Sequence, residues 1–128
     1  NITVTFSERE NLADYLSLCD VGLIFRRPSV SALAASPIKF AEYLVCGLPV
    51  ISTHQIGDLT SIINQNKIGV VLEGLDEDRY IDAVNKLFAL LEQRDKIQAR
   101  CREVAQKSFS LEQGVSSYFN IYNHLAKL

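Results

Sequence analysis

Three short apolar runs constrain this chain more than any other feature: Val21–Phe25, Leu48–Thr53 and Gly69–Leu72. Their hydrophobicity is continuous rather than alternating. That pattern marks strands covered on both faces, as in a parallel sheet sandwiched between helices. The run Ile2, Val4, Phe6 is different, because it alternates with Asn1, Thr3 and Thr5. Its period of two predicts a half-buried or edge strand.

Helical patterns fill the intervals. Ser7 and Glu10 have the spacing of a capping box, and Leu12, Tyr15, Leu16 and Cys19 continue at helical spacing, which predicts a helix over Glu8–Leu18. Ser36 and Pro37 suit a helix start, and Gly47 suits the left-handed turn beyond a helix end. Ile56–Asn66 carries Leu59, Ile62 and Ile63 on one face. The strongest periodicity is Tyr80, Ile81, Val84, Leu87, Phe88 and Leu91, set against acidic and basic residues on the other side. Two more helices are predicted, over Arg94–Lys107 and about Leu111–Leu125. Strands alternating with helices predict an α/β fold: a three-layer, Rossmann-like domain with a four-stranded parallel sheet over residues 1–128.

Composition narrows the function classes. With 128 residues there is room for one domain with a real core. A formal net charge of −2 gives no electrostatic reason to expect a nucleic acid partner. Cys19, Cys46 and Cys101 are far apart and lack the spacing of a metal site or a disulfide framework, so no metal or other cofactor is expected. Free thiols and the absence of a signal layout place the protein in the cytoplasm, either free or peripheral at the inner membrane face. The chain contains no methionine, which points to a piece of a larger protein.

In an open parallel sheet, ligands bind beyond the carboxyl ends of the strands. That rule selects Phe25–Lys39 and Ser52–Asp58. The amides of Ile38 and Lys39 begin a helix and would face an anion, with the Lys39 ammonium as a second contact. Glu42 could accept hydrogen bonds from a diol, or pair with Lys39 on an exposed face. Arg26 and Arg27 end a buried strand, where one of two neighbours would point to solvent. His54 could reach the same crevice or stay a solvated loop residue. No G-x-S-x-G, no phosphate-binding glycine loop and no paired-carboxylate motif is present, so no catalytic residue is assigned.

The run Ser36-Pro37-Ile38-Lys39-Phe40-Ala41-Glu42-Tyr43-Leu44, continued by Cys46-Gly47-Leu48-Pro49-Val50-Ile51, resembles the carboxyl-terminal domain of retaining GT-B glycosyltransferases of group 1 (family 4). Leu16–Leu23, Gly57-Asp58, Gly69-Val70-Val71 and Phe109-Ser110-Leu111 are similar to the flanking stretches of that family. The resemblance implies the truncated C-terminal half of a hexosyl-type transferase that uses a UDP- or GDP-linked sugar in polysaccharide or glycoconjugate biosynthesis. It implies that Ile38 and Lys39 hold the diphosphate and that Glu42 binds the ribose. The family glutamate eight positions earlier is Ala34 here, so the sugar contact either falls to Arg27 or Ser36 or is absent. It also implies an acceptor-binding amino-terminal domain absent from this sequence, and hence a piece inactive by itself. Without the preceding units, the strand Ile2–Phe6 either moves beside Val21–Phe25 or remains an edge that invites a second chain. The competing function is a non-catalytic nucleotide-binding or interaction module on the same fold.

Overall fold

The computed structural model describes residues 2–127. A 3-10 turn at Arg9–Asn11 leads into α1 (Leu12–Ser17), β1 (Gly22–Ile24), α2 (Val30–Leu33) and α3 (Ile38–Val45). Next come β2 (Val50–Thr53), α4 (Leu59–Asn66), β3 (Gly69–Leu72), α5 (Glu77–Leu91), α6 (Arg94–Phe109) and α7 (Leu111–Leu125). The three strands lie side by side in the order β1-β2-β3, all parallel. Leu23 pairs with Ile51, and Ile51 with Val70.

The α/β class and the parallel sheet are as the sequence predicts, but the sheet has three strands instead of four. Residues 2–6 join no ladder, and Ile2, Val4 and Phe6 are almost wholly exposed. Alternation reports an amphipathic extended segment; it carries no information on whether a neighbouring strand is there to pair with it. Asn1, which the alternation included, lies outside the described residues. The capping box also fails to form, since the Ser7 hydroxyl donates to the Glu8 carbonyl instead. The first predicted helix accordingly shrinks to the 3-10 turn and the six residues of α1.

The elements from α3 to α6 explain themselves locally. Gly47 adopts φ +80°, and the amides of Gly47 and Leu48 donate to the carbonyls of Leu44 and Tyr43. Those two bonds close the helix end in the left-handed turn that favours glycine. At the end of α4 the left-handed residue is Lys67, whose carbonyl accepts from Arg100 Nη1 at 3.0 Å. Arg102 reaches the Cys46 carbonyl at the end of α3 in the same way. Helix α6 therefore sends two arginines to the negative ends of two neighbours, where cations are favoured. Asp76 caps α5 by accepting from the Arg79 amide.

Two apolar layers result. On one face Ile24 and Val50 meet Phe40, Leu44, Leu59, Ile63, Ile97 and Cys101, drawn from α3, α4 and α6. On the other, Ile51, Val70 and Leu72 meet Ala83 and Leu87 of α5. Helix α7 buries none of its residues.

Candidate functional site

The carboxyl ends of β1 and β2 are built as one unit. The β1–β2 ladder stops at Ile24 and Ser52. Beyond it, the Thr53 hydroxyl takes over: it donates to the Arg26 carbonyl at 2.8 Å and accepts from the Arg26 amide at 3.0 Å. Ser29 accepts from the Ala32 amide and starts α2. The amide of Gly57 donates to the Ala32 carbonyl, tying the loop after β2 to the loop after β1. Gly57 has φ +46°, and a Cβ there would collide with the Ala35 carbonyl oxygen. The segment Arg26–Ala35 thus contains a capped helical turn stitched to its neighbour.

Helix α3 starts directly after this segment. Pro37 occupies the position preceding the first turn, and no side chain caps it. Ser36 therefore does not play the capping part that its position suggests; it is exposed. The first amides of a helix have no intrahelical partner, so those of Ile38 and Lys39 are left to face outward with the positive end of the dipole. Both side chains are exposed. Glu42 lies a turn further on, partly buried, and lines a groove of about 280 Å³ between α3 and α1 together with Arg9, Leu12, Leu16, Ala41 and Val45. No ion pair links Lys39 to Glu42 among the described residues.

The structure thus brings Ser36, Ile38, Lys39 and Glu42 onto one helix start, with Arg27 on the adjoining loop. Arg27 is exposed, with no hydrogen-bond or ion-pair partner for its guanidinium among the described residues. His54 is part of the frame: its amide and its Nδ1 both contact the Leu72 carbonyl, at 3.1 and 3.2 Å. Burial, reinforced by Cys19 and Glu42, pushes the Tyr43 phenol above its ordinary range. Burial likewise raises the Cys46 thiol, against the pull of Arg102. Sequence reasoning missed Thr53, because a threonine inside an apolar run reads as one more strand residue. Its place at the last position of the run is the signal that could have singled it out.

Fold and site together define an α/β domain that carries, after its parallel strands, an uncapped helix start with the partly buried Glu42 a turn behind it and the exposed Arg27 on the loop after β1. The family model for "Glycosyl transferases group 1" matches residues 1–107, and the chain belongs to that family of transferases. It is similar to a "D-inositol 3-phosphate glycosyltransferase" of Xylanimonas cellulosilytica, with 26% identity over 120 residues. The match covers 94% of this chain and 27% of that protein, so the chain spans about a quarter of its relative's length. No solved structure matches the chain. No helix among the described residues is long and apolar enough to cross a membrane.

Proposed function

We propose that these residues form the donor-binding part of a glycosyltransferase that uses a nucleoside-diphosphate sugar, UDP- or GDP-linked. The observation that carries this reading is the uncapped start of α3 at the carboxyl edge of the sheet, with partly buried Glu42 a turn behind it. The amides of Ile38 and Lys39 and the Lys39 ammonium take the diphosphate, where dipole and charge both favour an anion. Glu42 accepts hydrogen bonds from the ribose hydroxyls, and the groove beside it receives the nucleoside. Arg27 and Ser36, on the approach to the helix, complete the contacts to the diphosphate and the transferred sugar. As the sugar leaves, the charge that develops on the diphosphate is met by fixed dipoles and cations.

The setting proposed for such a transferase is polysaccharide or glycoconjugate biosynthesis, in the cytoplasm. Binding without turnover is the result expected of these 128 residues by themselves, because transfer needs an acceptor held against the donor in a site closed to water. A non-catalytic binding module is the second reading. Ala34 favours it: the residue ends α2 close to the site and carries no carboxylate.

Calorimetric titration with UDP and GDP tests the leading reading. Glu42→Ala is expected to weaken binding about 10- to 100-fold, since hydrogen bonds to a charged group contribute ~1.5–3 kcal/mol. Affinity unchanged in Glu42→Ala would remove the nucleotide site from this helix.

A further inference from the structure

We propose that Thr53 is a positioning residue for the diphosphate: its hydroxyl clamps the Arg26 backbone and so fixes the main chain from which Arg27 extends at the carboxyl end of β1. The inference rests on the nucleotide reading above and adds to it a residue that touches no ligand. Thr53 is 2% exposed, and its single oxygen serves as both donor and acceptor to the same residue. Arg26 lies beyond the last pair of the β1–β2 ladder, where the main chain of β2 no longer holds it. The side-chain clamp extends the sheet's grip by that one step.

The chain beyond Arg26 is restrained as well. Pro28 confines the Arg27 backbone to extended conformations. Ser29 then caps α2, and Ala32 of α2 receives the Gly57 amide. Arg27 is thus anchored at its root on both sides, while its guanidinium has no partner of its own among the described residues. A five-donor group on a fixed main-chain base suits a diphosphate, because the backbone share of the ordering cost is met before binding and the side-chain rotamers alone are left to order. Without the clamp, Arg27 would hang from a mobile loop and lose affinity only for groups that it contacts.

The test uses the full chain and compares nucleoside diphosphate with nucleoside monophosphate (UDP with UMP, GDP with GMP) in Thr53→Val, Thr53→Ser and Arg27→Ala. Valine keeps the shape and removes the hydroxyl; serine keeps the hydroxyl. Thr53→Val is expected to weaken the diphosphate about tenfold and to leave the monophosphate within twofold. Thr53→Ser should restore the diphosphate affinity. In the Arg27→Ala background, Thr53→Val should have no further effect. Equal losses for both ligands, or an undiminished loss in the Arg27→Ala background, would assign Thr53 a structural role and overturn the proposal. Where Thr53→Val fails to fold, Thr53→Ala carries the same comparison. A wild-type chain that binds neither diphosphate overturns both this inference and the nucleotide reading. Binding that depends on Glu42 but is indifferent to the Thr53 hydroxyl overturns this inference alone.

Discussion

On one face of the sheet α3, α4 and α6 seal Phe40, Leu44, Ile63 and Cys101 from water; on the other, α5 lies over β3 and leaves β1 half bare. Leu23 points to this second side, since it pairs in register with Ile51, and it is 57% exposed. Phe25 is 49% exposed, touched by the edge of the Tyr80 ring at 6.4 Å between centroids. Ile81, Val84 and Phe88 leave apolar surface on the flank of α5 itself. The first face is a finished core. The second is covered by one helix, and the difference lies in how many helices cross it, since its strand residues Leu23, Ile51, Val70 and Leu72 are no less apolar than those of the first face, which includes Gly22, Ser52 and Gly69. The candidate site sits at the end of the sheet, framed by loops that the better-packed side holds in place through α3.

The largest expected effect tests this inequality directly. Phe40→Ala removes a ring that is 1% exposed and packed edge-on against Phe109 at 5.8 Å. Truncating such a residue costs ~3–5 kcal/mol, a large share of a domain's total stability. Phe88→Ala removes a ring that is 65% exposed and is expected to cost no more than about 0.5 kcal/mol. Urea unfolding of the two variants measures both. Similar losses would mean that the α5 face is as well covered as the other, and the comparison would break.

A second test uses the thiols. Cys101 is fully buried in the α3–α4–α6 core, and burial pushes its thiol from an ordinary value near 9 up to about 11, against the opposing pull of Arg100 and Arg102. The folded state therefore holds the proton more tightly than the unfolded chain does. The resulting stability is complete below pH 9 and declines as pH rises from 9 towards 11. Two units correspond to ~2.7 kcal/mol as an upper figure. Unfolding measured across that interval should show an alkaline decline that is smaller in Cys101→Ala. An identical decline in both proteins would show that the thiol does not sense the core. Cys19, exposed beside α1, should react readily with iodoacetamide at pH 8 while Cys101 stays protected.

The sequence made the packed half legible because its signals are local. Gly47, Pro49 and the apolar run to Thr53 specify a helix end, a turn and a strand within a few residues. The inward set Ile97, Cys101, Val104 and Ala105 of α6 follows one helical period. The predicted stripe of α5 does not hold as a buried face: Tyr80, Ile81, Val84 and Phe88 are exposed, Leu87 and Leu91 are partly buried, and the residue that α5 buries is Ala83, whose small side chain stands out in no apolar pattern. What failed were features that depend on a partner. The alternation at Ile2, Val4 and Phe6 describes a strand but cannot supply a ladder, and Ser7 and Glu10 have capping-box spacing without the capping geometry. The helix start at Ile38 and Lys39 was visible from Pro37 and the strand-end rule. The Thr53 clamp was not, because it joins residues 27 positions apart and leaves no periodic trace.

The smallest expected effect concerns what holds α5 to the less covered face. Lys86 and Asp82 form an i,i+4 ion pair at 2.6 Å on α5, with side chains 63% and 53% exposed. Water and salt screen such a pair, and its measured contribution on helix surfaces is ~0.3–0.5 kcal/mol. Lys86→Ala should therefore lower stability by about that amount at low salt and by less at roughly 0.5 M salt. So small a loss is expected if α5 is held by Ala83 and Leu87 against Ile51, Val70 and Leu72. A loss above ~1 kcal/mol that vanishes in salt would mean that charge on the helix surface, instead of burial beneath it, keeps α5 folded. The second face of the sheet would then be closer to open than its buried cluster indicates.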